Sequence, residues 1–129
     1  MKKLLFVTLF ITLCNGVIHS QAITHIQCTN KIILNQSGYP VDTKVDYTKL
    51  IWYVNSYKLV NVTSGENFKL KKGTESISGD FVSIQAVSKT TGEWIIKFYW
   101  TKSSNEILVF FKSLRGLGYY AYAGYVLVD

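Results

Sequence analysis

From Phe81 onward, apolar side chains fall on every second position, in four short runs set apart by turn residues. Val82, Ile84 and Ala86 share one face of the first run. Trp94, Ile96, Phe98 and Trp100 share one face of the second, with Lys97 and Thr101 on the other. Residues 107–111 form a compact apolar third run, and residues 119–128 form the fourth. A period of two belongs to a strand, whose successive side chains point to opposite faces. The runs recur at roughly 12 residues, the rhythm of an all-β sandwich or barrel. No stretch of the chain keeps the helical period.

The N-terminal half reads the same way. Residues 25–34 form a strand with Ile26, Cys28, Ile32 and Leu34 on one face. Residues 35–40, rich in Gly, Pro, Asn and Ser, form a loop. Residues 46–55 make a second strand, with Leu50, Trp52 and Val54 on one face and Ile51 and Tyr53 on the other. Residues 57–62 and 68–71 follow as strands three and four. Links this short make neighbours in sequence neighbours in the sheet. The expectation is an all-β, single small antiparallel domain of about eight strands, laid out as a meander. It closes into an up-and-down barrel or folds over as a sandwich.

That strand count and meander resemble the calycin group, the lipocalins and their relatives. The resemblance implies a small barrel with a central ligand cavity. It rests on architecture, since the Gly-x-Trp of a lipocalin's first strand is missing: Trp52 follows Leu50-Ile51.

The N-terminus carries a different pattern. Lys2 and Lys3 precede an apolar run over residues 4–13, then small and polar residues lead to Ala22. This is the order of a secretory signal. The run is about half the roughly 20 residues that a membrane-spanning helix needs. Residues 1–22 are therefore read as a signal peptide and residues 23–129 as one all-β domain, secreted or periplasmic. A domain of this length buries a core without disulfide or metal staples. Cys28 alone remains after cleavage, which excludes an internal disulfide. It reads as a small buried hydrophobe, against the alternatives of an intermolecular disulfide or a reactive thiol.

The 14 basic residues less Lys2 and Lys3 leave 12 against 8 acidic ones, a net charge of +4 spread along the chain. The one cluster, Lys69, Lys71 and Lys72, is sparser than a nucleic-acid footprint. No nucleic-acid partner is expected.

No catalytic constellation emerges either. His25 is the one histidine left after cleavage, and it stands near the new N-terminus. Glu66, Glu93 and Glu106 fall in or beside predicted hairpin turns, where acids are ordinarily solvated. His25-x-x-Cys28 offers two zinc ligand types, but their odd separation places them on opposite faces of a strand. No enzyme activity, metal or cofactor is expected.

Aromatic residues, 15% of the chain, are the remaining feature. Tyr120 and Tyr122 share one face of the last strand, and Tyr119, Ala121, Ala123 and Tyr125 share the other. In one reading the rings fill the core and the alanines accept Trp94 or Trp100 across the sheet. In the other, Trp94, Trp100, Tyr120 and Tyr122 line a pocket for a small apolar or glycan ligand. Two functions follow: a non-catalytic binding domain for such a ligand, or a cell-envelope structural or protein-interaction module with a solid core. A cavity behind the last four strands separates them.

Overall fold

The computed structural model describes residues 23–79, 81–101 and 104–127. The signal segment expected at residues 1–22 lies outside them, as do Lys102 and Ser103 of the predicted turn and Val128 of the last predicted strand. Ten strands follow in order: β1 (Ile23–Leu34), β2 (Pro40–Val45), β3 (Lys49–Tyr53), β4 (Lys58–Asn61), β5 (Asn67–Leu70), β6 (Ser76–Ser78), β7 (Phe81–Ser88), β8 (Gly92–Thr101), β9 (Glu106–Ser113) and β10 (Tyr119–Leu127).

Every pairing is antiparallel. The wall runs β1–β3–β4–β5–β7–β8–β9–β10, and β10 pairs back onto β1 from His25–Leu127 to Ile33–Tyr120. The sheet is therefore an eight-stranded closed barrel and not a sandwich. Closure leaves the wall without edges that invite aggregation. β2 and β6 lie off this path. β1 gives its first half to β3 and its second half to β2, while β7 gives its start to β6 and its end to β5.

The closing seam carries a bulge. Cys28 stands opposite Gly124 and Asn30 opposite Ala123, so Thr29 is an extra residue. A side chain at position 124 has no room, because its Cβ would lie 2.1 Å from the Gln27 carbonyl oxygen. The extra residue also resets the alternation of β1. Ile26 and Cys28 point inward, but beyond the bulge Lys31 and Ile33, opposite Tyr122 and Tyr120, take that face. Ile32, expected beside Cys28, sits on the outer face.

One sequence boundary also moves and two strands are new. The strand expected over residues 46–55 begins only at Lys49, and β2 and β6 were not anticipated. β2 alternates, with Val41, Thr43 and Val45 on one face, but all six of its residues are exposed, so its pattern records no burial. β6, Ser76–Ser78, is too short for a period to show.

The interior is filled by rings. Trp52 stacks on Phe98 at 5.1 Å, and Phe68 meets Trp94 edge-on at 5.6 Å and Phe111 at 5.1 Å. Phe98, Phe68 and Phe111 are at most 1% exposed. Each such side chain contributes roughly 1.5–3 kcal/mol by leaving water.

Candidate functional site

Antiparallel registry brings Trp94, Tyr120 and Tyr122 to the same end of the barrel. Trp94 stands opposite Ser113 at the end of β9, and Tyr120 stands opposite Phe111 on the same strand. The rings interlock around Phe111. Tyr120 stacks on Phe111 at 5.3 Å and meets Trp94 edge-on at 5.9 Å and Tyr122 at 5.6 Å. Lys31, turned inward by the bulge, holds its ammonium 4.3 Å from the centre of the Tyr120 ring. Its charge faces the electron-rich ring face, an attraction of roughly 0.5–1 kcal/mol at partly exposed sites.

Polar groups close this end. The Trp94 indole N–H donates to Thr91 Oγ1 at 2.7 Å, and the Thr91 hydroxyl donates to Glu66 Oε2 at 2.7 Å. Ser88 donates to the same oxygen at 2.9 Å. Thr48 donates to Asp46. Burial pushes the Tyr120 phenol well above its ordinary range, and Tyr122 and Glu66 push it further. Burial raises Tyr122 too, outweighing its hydrogen bonds with Thr48 and Asn61. Both phenols are therefore neutral donors over the physiological range.

Trp100 does not join this group. It packs partly buried against the core six residues further along β8, roughly 20 Å from Trp94 at about 3.3 Å per residue. The four predicted ligand residues thus split between the two ends. Trp94 and Tyr122 are 3% and 5% exposed, and both rings are spent on Phe111 and Tyr120. Ala121 and Ala123 do not receive Trp94 or Trp100. They lie on the outer face, opposite Phe110 and Leu108.

Two grooves open on the outside. One, of about 340 Å³, runs over β8, β9, β10 and the bulge, with Asn30, Tyr99, Glu106 and Tyr125 along it. The other, of about 540 Å³, lies between the turn after β1 and the turn after β9, with Asn35, Gln36, Lys112 and Tyr119 along it. Neither was foreseen. Their residues come from strands distant in sequence, and alternation alone does not say which outward residues meet.

Other chemistry is sparse. Cys28 is fully buried and free. Burial, reinforced by the charge of Asp46, pushes its thiol up to about 12. A thiol held in its neutral form is a poor nucleophile. Among the described residues no three of His, Cys, Asp and Glu come together as a metal site, and no helix is long and apolar enough to cross a membrane. Lys71 reaches Glu93 at 3.6 Å, but both side chains are largely exposed and the pair adds little.

The four most exposed large apolar side chains lie on or beside β2. Tyr39, Val41, Val45 and Tyr47 are 61–71% exposed. Comparison of the chain with protein-family models, with curated proteins and with solved structures finds no match.

Proposed function

We propose that this chain is an exported, non-catalytic module that works through its outer surface by docking a protein. The observation that carries the reading is the filled interior: Trp94, Tyr120 and Tyr122 are locked around Phe111 rather than lining a space for a ligand. The export part rests on the basic, then apolar, then small-residue order of residues 1–22. The rigid closed wall supports the docking part, because it presents outward side chains at fixed spacing.

Native mass spectrometry of the mature protein from its own secretion fluid tests the reading. The expected spectrum has no small-molecule adduct. An adduct of reproducible mass that denaturation removes would overturn it.

A second reading is supported by the outer groove along Asn30, Tyr99, Glu106 and Tyr125. Two tyrosine rings beside an amide and a carboxylate suit a sugar, which offers both C–H faces and hydroxyls. A glycan-array screen of the protein and its Tyr99→Ala variant tests it. Binding that the variant loses supports the groove; no binding by either protein removes it.

A further inference from the structure

We propose that β2 is a homodimerisation edge, at which a second copy of this chain adds its own β2 in antiparallel register about a two-fold axis through Thr43. This assignment of a partner rests on the surface reading above.

The edge is open. Asp46 N–H donates to the Thr29 carbonyl at 2.9 Å. In an antiparallel ladder, that bond marks Asn30–Val45 as a pair whose own backbone groups point away from each other. Two residues along, Ile32–Thr43 is a pair of the same kind. The N–H and C=O of Thr43 and Val45 therefore face outward, away from β1. The Thr43 N–H is held at 2.9 Å by the carboxylate of Asp42, its own neighbour. That carboxylate occupies the place which the carbonyl of an added strand would take.

The sequence around this edge is its own complement. Residues 39–47 read Tyr-Pro-Val-Asp-Thr-Lys-Val-Asp-Tyr. Antiparallel pairing centred on Thr43 places Asp42 opposite Lys44 of the second copy, and Lys44 opposite its Asp42. Val41 meets Val45, and Tyr39 meets Tyr47. A two-fold interface must be self-complementary in this way, because each contact is made twice. Opposite charges directly across two strands attract and like charges repel. Shifting the register by two residues in either direction breaks both ion pairs, and a shift of four, which would set Lys44 against Asp46, reaches past Val45, the last residue of the strand. On pairing, the two Thr43 residues exchange N–H···O=C bonds, and each Asp42 carboxylate moves to Lys44 of the other copy.

Other occupants fit less well. A generic strand would satisfy the outward backbone groups but not the alternation of acid and base. The added contact is one short strand, smaller than the roughly 1,200 Å² of a stable interface. The expected dissociation constant is therefore roughly 1 µM to 1 mM.

Sedimentation velocity over a concentration series up to about 1 mM tests this on the wild type, Asp42→Lys, Lys44→Asp and the double exchange. Wild type should pass from monomer to dimer as concentration rises. Each single exchange places two like-charged pairs across the axis and should weaken association at least tenfold. The double exchange restores both ion pairs and should recover most of the loss. Thr43→Pro removes the outward N–H, leaves the β1 ladder intact and should abolish the dimer.

A wild type that stays monomeric throughout overturns the proposal. So does a dimer indifferent to the single exchanges, or a double exchange no better than either one. The surface reading is judged separately. A retained small-molecule mass would overturn it, whereas a wild type that stays monomeric up to about 1 mM in sedimentation would remove only self-pairing.

Discussion

β2 and β9 are both short antiparallel strands of alternating chemistry, yet they stand at opposite extremes of burial. β9 has neighbours on both sides and presents Ile107, Val109 and Phe111 to the interior at 3% exposure or less. β2 has one neighbour, β1, and exposes every residue on both faces. The difference shows what the apolar alternation encodes. It records which face is buried, not whether a segment is extended. A strand that buries neither face is free to spend its sequence on something else, here Asp42 and Lys44 with the exposed Val41 and Val45.

The sharpest way to break this contrast is to empty the wall's interior. Phe98→Ala removes a fully buried ring stacked on Trp52 and should cost roughly 3–5 kcal/mol in a urea unfolding curve. A loss below about 1 kcal/mol would mean the interior is not close-packed. Next is Gly124→Ala at the seam. Its new Cβ would run into the Gln27 carbonyl oxygen and, at 2.6 Å, into Cys28 Cα. These are backbone atoms, so the strands must separate, at roughly 1–3 kcal/mol.

The buried thiol gives a pH-dependent prediction. Its folded-state value of about 12 stands above the ordinary 9.0. The unfolded chain therefore loses that proton first, and stability falls as pH rises through this window. Tyr120 and Tyr122 are shifted in the same direction and add to the fall. The urea midpoint should decline from pH 9 upward, and less steeply in Cys28→Ala. Equal slopes would remove Cys28 from the account. The smallest effect belongs to β2. Lys44→Asp should change monomer stability by less than about 0.5 kcal/mol, as exposed substitutions ordinarily do. A larger loss would mean that the flap supports the wall and that the contrast is false.

The barrel was legible where one face is buried. The alternation in β7 and β8 predicted the inward sets that the structure shows, and short links predicted the order of the wall. What escaped was of two kinds. The Thr29 bulge is one residue long, and nothing in the local pattern marks it. It turned Lys31 into the interior in place of Ile32. β2 escaped because its short Val-Thr-Val alternation buries neither face, and β6 because three residues show no period. The candidate site stayed two-sided for a physical reason as well: Trp, Tyr and Ala at alternate positions describe a packed interior and a pocket lining equally. Only the distances among Trp94, Phe111, Tyr120 and Tyr122 separate the two. The outer groove residues Asn30, Tyr99, Glu106 and Tyr125 are joined by closure, which no local signal carries.

The seam between β1 and β10 has a further consequence for how the chain is made. These strands lie at the two ends of the domain, so their ladder spans nearly the whole sequence. Contacts of such separation form slowly, because so much chain must be ordered before they reward it. The cylinder does not close until the last strand has been synthesised. On the export route proposed above that delay would keep the chain extended, because its first strand waits for a partner at the far end of the domain.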